Sequence, residues 1–236
     1  MDEGGRPPGR GGALGAPGVQ VVAIDGPAGA GKSTLAQAVA EHLGMERLDT
    51  GAMYRAVALA ALRAGLDLHE QAGLAHLLTT LTLDMPPGRV LLNGEDVTTA
   101  IRTPEVTAAT SPVADSRVVR QHLVGMQRAI AAGRNVVCEG RDQGTVVFPD
   151  AACKFFLKAD PVERARRRQR EMEVRGQAVD FDAVLRAQQE RDRRDAVRDL
   201  APMVPASDAM ILDSTQLDLG QVVDLMEREV RRCQKS

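Results

Sequence analysis

Apolar and polar positions along the chain separate into segments of two periods. The run VQVVAID over 19–25 is β-branched and almost uninterrupted, the pattern of a strand covered on both faces of a parallel sheet, and it predicts the central strand. After a glycine-rich loop, Leu35, Val39 and Leu43 recur at helical spacing with Ala36 and Ala40 beside them, which makes one apolar helix face. NVVCEG (135–140), CKFFLKA (153–159) and AMILD (209–213) predict further strands. Helices are predicted over 50–64 and 218–232, with Asp218 placed to cap the last one. Strands alternating with helices predict an α/β fold, a parallel sheet wrapped by helices.

Two stretches read as insertions on that core. Residues 70–105 contain TLTLDMPPGRVLLNGEDV, in which Pro-Pro-Gly and Asn-Gly turn signals separate alternating runs and predict a small β element. Residues 161–198 are helical in pattern and hold eleven arginines. The first eighteen residues are dominated by Gly and Pro and bury too little apolar surface to offset ordering entropy. They are expected to form a disordered tail, leaving 19–236 as one domain, for which the 236-residue length is ample.

Composition narrows the partners. Apolar residues at 44% and charged residues at 26% are the balance of a globular protein with its own core. One Tyr, four Phe and no Trp leave almost none of the stacking surface that single-stranded nucleic acids use, and a net charge of −2 gives no global positive field, so no nucleic-acid partner is expected. The basic residues are 4 Lys and 26 Arg. Arginine offers a planar fork for phosphate and carboxylate oxygens, although compositional bias explains the total equally well. Cys138, Cys153 and Cys233 are odd in number and far apart, with no C-x-x-C pair, which predicts neither a disulfide framework nor a zinc site and fits a reducing cytoplasm. The four histidines lack metal-ligand spacing, and no apolar run is long enough for membrane insertion. A monomer is expected.

The most specific motif is Gly26-Pro27-Ala28-Gly29-Ala30-Gly31-Lys32-Ser33, with Thr34 after it, a G-x-x-x-x-G-K-[ST] loop between a predicted strand and helix. Its backbone N–H groups would converge on ATP phosphates, Lys32 would bridge β- and γ-oxygens, and the Ser33 hydroxyl would coordinate Mg²⁺. Alone the loop denotes an NTP binder. The N-K-x-D tetrapeptide of guanine readers is absent, which disfavours a GTPase.

Phosphoryl transfer requires two anionic substrates held in line, hence many cations. Three groups of arginines meet that need: Arg55, Arg141 and the segment 164–198. IDGPAGAGKST, LDTGAMYR, IRTPEV, EGRDQGTVVFPDA, ERDRRD and LDST, in this order over about 19–232, resemble the bacterial type of cytidylate kinase. The resemblance implies a core with a nucleoside-monophosphate-binding insert at about 70–105 and a lid at about 161–178. It implies transfer from ATP to CMP or dCMP, with Lys32, Arg141 and Arg198 as catalytic residues. Thr50 and Tyr54 would lie near the acceptor, though Tyr54 is equally a packing residue. Arg55, Arg141 and Arg198 would surround phosphate oxygens, Arg198 alternatively touching the base. Arg191 and Asp195 would grip the ribose, although an exposed helix with an Arg191–Asp195 ion pair reads the same.

Cytosine donates from its exocyclic amine and accepts at N3 and O2, so acceptors must stand next to donors. By similarity Asp142 and Ser111 would meet the amine and Arg120 would donate to the ring, with Arg117 as competitor because the usual Pro-containing turn after Ser111 is missing. Asp25 and Glu139 would either hold Mg²⁺ through water or cap neighbouring helices. Asp213-Ser214-Thr215 resembles the loop that borders adenine, and is equally a plain turn. The rival functions are a kinase for another small acceptor, an ATP-binding switch, and an RNA-binding module built on the arginine-rich segment.

Overall fold

The computed structural model describes residues 20–174, 176 and 178–233, so the expected tail over 1–18 lies outside the described residues. Five parallel strands form the central sheet: β1 (Val21–Asp25), β2 (Glu46–Asp49), β6 (Val136–Gly140), β7 (Cys153–Lys158) and β8 (Met210–Asp213), in the order β2-β6-β1-β7-β8. The strand expected at the centre is there, and Val22, Ala23 and Ile24 are fully buried because both faces are covered. On one face α1 (Lys32–Leu43) and α8 (Leu219–Cys233) pack over Val22, Ile24, Phe155 and Leu157. On the other, α2 (Thr50–Arg63), α4 (Pro104–Asp115) and α5 (Arg117–Ala131) cover Ala23, Leu48 and Cys138. Asp218 caps α8 as expected, accepting from Gln221 N at 2.9 Å while Gln221 Oε1 accepts from Asp218 N at 3.0 Å.

Strand β2 carries no hydrophobic alternation. Its sequence is ERLD, only Leu48 is buried, and it pairs on one side alone, so its position comes from β6 rather than from its own pattern.

The 70–105 stretch contains α3 (Gln71–Thr80) and an antiparallel sheet of β3 (Leu83–Asp84), β4 (Leu91–Leu92) and β5 (Glu95–Asp96). Asn93 and Gly94 take φ values of 50° and 82°, the paired positive dihedrals of a two-residue hairpin turn. Leu74, Leu83, Leu92 and Ile101 bury into the same apolar cluster as α2, so this insert has no separate core. Arg63 on α2 anchors it from outside through two bonds to the Glu95 carboxylate, at 2.7 and 2.8 Å.

Residues α6 (Pro161–Val174) and α7 (Phe181–Ala196) form a helix pair. Few of their side chains are buried, namely Arg164, Ala165, Val184, Gln188 and Asp195, and most of these are polar. The pair is therefore held by specific hydrogen bonds rather than by apolar area. Among the described residues no helix is long and apolar enough to cross a membrane.

Candidate active site

The phosphate loop leaves β1 at Asp25 and enters α1 at Lys32. Gly26 takes φ 141°, and a Cβ there would stand 2.2 Å from the Leu157 carbonyl oxygen, so only glycine permits the exit from the strand. Gly31 caps α1 with φ 91° and no side-chain hydrogen bond, which leaves the first N–H groups of the helix for an anion. Lys32 is buried and donates from Nζ to Pro27 O at 2.7 Å. Burial, followed by the nearby Arg141 charge, holds its ammonium pKa well below the ordinary lysine value.

Two carboxylates end the strands beside this loop, and the fold gives them different work. Asp25 accepts from Gln143 N and Gly144 N, both at 2.8 Å, and so caps the single π-helical turn Gln143–Val147. Burial raises its pKa to about 6 despite those bonds. Glu139 instead faces the loop, with Oε2 accepting from Ser33 Oγ at 2.7 Å. Its backbone carbonyl accepts from Thr50 Oγ1 at 2.5 Å, which fixes the start of α2.

Tyr54 is buried, its hydroxyl pKa pushed up to about 12 chiefly by desolvation, and its ring lies under the Arg120 guanidinium, 5.7 Å from centroid to Cζ. Arg120 also donates to Ala114 O at 3.0 Å and pairs with the buried Asp142. Arg117, the alternative raised by the sequence, is exposed. Ser111 sits half-buried on α4, and its hydroxyl has no hydrogen-bond partner among the described residues.

The ERDRRD segment is two-faced. Glu190, Arg193 and Arg194 make solvated pairs, but the Arg191–Asp195 pair expected of an exposed helix does not form. Asp195 is buried and accepts from Arg141 Nε at 3.0 Å and Arg198 Nη2 at 2.6 Å. Burial alone would raise its pKa, and Arg141, Arg198 and Arg191 together hold it below the usual carboxylate value. Arg198 Nε also donates to Asp115 at 2.6 Å, tying the segment after α7 to the end of α4.

Arg55 and Arg191 make no hydrogen bond or ion pair among the described residues, and Arg191 Nε is buried without a partner. Desolvation first lowers both guanidinium pKa values, with added repulsion from Arg102 and then Arg141 at Arg55 and from Arg141 at Arg191, whose value falls to about 10. Lys32, which is buried, and the half-buried Arg55, Arg141 and Arg191 therefore lie within electrostatic reach of one another, with Glu139, Asp25, Asp49 and Asp195 among the nearby carboxylates.

Residues to which the motifs gave no catalytic or acceptor-binding role connect the parts. Arg164 on α6 donates to Ala28 O of the loop at 2.9 Å, and pairs at 2.5 Å with Asp192 on α7, whose other oxygen accepts from Ala28 N at 3.4 Å. Arg167 donates to Ser214 O at 2.7 Å, and Ser214 Oγ reaches Ala30 O at 3.3 Å, so the Asp213-Ser214-Thr215 turn touches the phosphate loop. Arg47 on β2 donates to Glu139 Oε1 at 2.8 Å. Sequence spacing flagged the arginine-rich block but singled out neither Arg164 nor Asp192, and nothing in the polar β2 marked Arg47.

A glycine-rich loop that leads from a strand into a helix N-terminus, near the half-buried guanidinia of Arg55 and Arg191 that have no anionic partner among the described residues, defines a P-loop kinase. The sequence model of one kinase family, described as cytidylate kinase, matches residues 22–232. A cytidylate kinase of Pelotomaculum thermopropionicum is 50% identical over 214 residues, covering 89% of this chain and 95% of that protein. One of Vibrio cholerae is 48% identical over 208 residues, covering 86% and 92%. The chain belongs to the cytidylate kinase family. A crystal structure of an uncharacterized protein from Eubacterium ventriosum superposes with a TM-score of 0.51 at 14% identity, covering 90% of this chain and 98% of that one, a likeness of fold.

Proposed function

We propose that the enzyme transfers the γ-phosphoryl group of ATP to CMP and dCMP, yielding ADP with CDP or dCDP. The observation that carries this reading is the cluster of buried Lys32 with half-buried Arg55, Arg141 and Arg191, beside the buried Arg120–Asp142 pair. The loop residues 26–34 take the ATP phosphates. Lys32 and Arg141 follow the charge that moves from ATP to the acceptor, and Arg198 holds both Asp195 and the phosphate side. Arg55 and Arg191 receive the acceptor's phosphate and ribose, with Asp195 on the ribose hydroxyls.

Asp142 and Ser111 offer oxygens to the cytosine amine, and Arg120 supplies the donor for the ring. Uracil reverses donor and acceptor at the first two positions and would leave Asp142 facing a carbonyl oxygen. The 70–105 insert and the lid at about 161–178 close over the acceptor and the reacting phosphates, excluding water.

Mg²⁺ fits the donors present. Ser33 Oγ and Glu139 Oε2 are hard oxygen groups 2.7 Å apart beside the loop, suited to an ion that takes its remaining ligands from phosphates and water. Bound there, it would screen negative charge between the β- and γ-phosphates. The three free cysteines suit a cytoplasmic setting.

A coupled ADP-release assay across CMP, dCMP, UMP, AMP and GMP tests the reading. CMP and dCMP are expected to be turned over best, and equal or faster turnover of UMP would refute the base-reading assignment. ATP hydrolysis indifferent to CMP would instead favour a switch.

A further inference from the structure

Glu139 has two carboxylate oxygens with different partners. Oε2 faces the Ser33 hydroxyl at 2.7 Å, and Oε1 accepts from Arg47 Nη2 at 2.8 Å. The same nitrogen lies 2.9 Å from Asp49 Oδ2, and Nη1 lies 3.4 Å from Gln37 Oε1 on α1. Asp49 is itself immobilised, because it caps α2 by accepting from Ala52 N at 2.9 Å. The guanidinium thus meets groups from α1, β2 and the end of β6, and its Nη2, shared between Asp49 and Glu139, holds Oε1 and leaves Oε2 turned to Ser33.

Without that tether, three side-chain torsions would let Glu139 turn away from Ser33. The arrangement also keeps negative charge in place. One guanidinium shared by Asp49 and Glu139 leaves the trio with a net charge of −1, and Arg102, 3.6 Å from Asp49, is 43% exposed and screened by solvent.

We propose that Arg47 is a positioning residue for the divalent cation of the reaction, acting by holding Glu139 toward Ser33; this rests on the reading of Ser33 as cation ligand. Arg47 reaches the cation only through Glu139, so its loss should weaken the metal more than the nucleotide. Outer groups that orient metal ligands are worth about 10- to 100-fold in metal affinity.

The test measures Mn²⁺ binding to the enzyme–ADP complex by electron paramagnetic resonance, beside the Mg²⁺ dependence of turnover and the melting temperature. Arg47→Gln is expected to weaken Mn²⁺ about tenfold with KM for ATP at saturating Mg²⁺ unchanged, and Arg47→Lys, which keeps charge but not the fork, to fall between. Ser33→Ala separates the two layers of the argument. If Ser33→Ala weakens Mn²⁺ while both folded Arg47 variants bind it like the parent, the positioning role is refuted. If Ser33→Ala also leaves Mn²⁺ affinity untouched, the cation reading beneath it fails as well. Should Arg47→Gln not fold, Arg47→Lys decides alone.

An independent observation concerns sulfur. Cys153 opens β7 and Cys233 ends α8, 80 residues apart, yet their Sγ atoms lie 2.9 Å from each other, nearer than non-bonded sulfurs pack. Cys233 is half-buried and Cys153 is 4% exposed, so an oxidant meets Cys233 first. We infer that a peroxide converts this pair into an intrachain disulfide. The Cys233 thiolate takes one peroxide oxygen as sulfenic acid, releasing water after proton transfer. The Cys153 sulfur then displaces the second water as the S–S bond forms, so two thiols and one H₂O₂ give a disulfide and two H₂O. Thiol titration of denatured protein after peroxide treatment should fall from three to one, with a peptide linking the two positions, and Cys233→Ser should retain both of its thiols. Three titratable thiols after treatment, or loss of thiols in Cys233→Ser, would overturn it.

Discussion

At the scale of single residues, the site is built from groups whose ordinary charge the interior disfavours. Lys32 is desolvated beside Arg141, and Arg191 is desolvated within reach of the same charge. Lys32→Ala and Arg141→Ala should each leave the fold intact and lower kcat by about 10³-fold or more, the scale of cations that stabilise a migrating phosphoryl group; steady-state kinetics with circular dichroism checks both parts. Asp25 gives a prediction of opposite kind. Its pKa rises from 3.8 to about 6 on folding, so the folded state keeps a proton that the unfolded chain releases. The associated stability is complete below about pH 4 and disappears as pH rises through about 6. Asp25→Asn removes that dependence, and its stability relative to the parent should improve by about 3 kcal/mol between pH 4 and 7 in urea titrations. Asp195, whose pKa is depressed, has the reverse sign and loses its contribution on acidification. The sequence identified Asp25 as a strand-end carboxylate with two open roles, and only the positions of the Gln143 and Gly144 amides made it a cap.

At the scale of elements, strand β1, the glycine loop and α1 were legible because their information is local: an apolar run, obligatory glycines and a helical period in direct succession. The glycines differ in what they tolerate. Gly26→Ala should cost at least about 3 kcal/mol, since backbone strain is joined by contact with the Leu157 carbonyl. Gly44 also has a positive φ, 64°, but nothing lies near its missing Cβ, so Gly44→Ala should cost only about 1 kcal/mol. Denaturant midpoints for the two variants, with their activities, distinguish a close backbone approach from a dihedral preference. Strand β2 was not legible, because a short edge strand with one buried residue has no periodicity to detect. Arg47 was hidden with it.

At the scale of the molecule, the helix pair α6–α7 is fastened to the phosphate loop through a few polar contacts rather than through a core. Arg164 is buried and bonds Ala159 O, Ala28 O and Asp192. Arg164→Ala strips the half-buried Asp192 carboxylate and two carbonyls of their donor, at a cost of about 3 kcal/mol. Hydrogen exchange should quicken over 161–196 and stay slow in β1 and β6; uniform acceleration would mean that the pair is integral to the core. The sequence by itself determined the parallel α/β architecture, the central strand, the phosphate loop and, through six ordered motifs, the kinase family, because each depends on neighbouring residues or on spacing along the chain. The tertiary structure alone decided that Asp195 pairs with Arg141 and Arg198, that Asp192 reaches the loop through Arg164, and that Glu139 rather than Asp25 faces Ser33. Those choices depend on which charged groups share a desolvated volume, and that is set by how β6, α6 and α7 pack around β1.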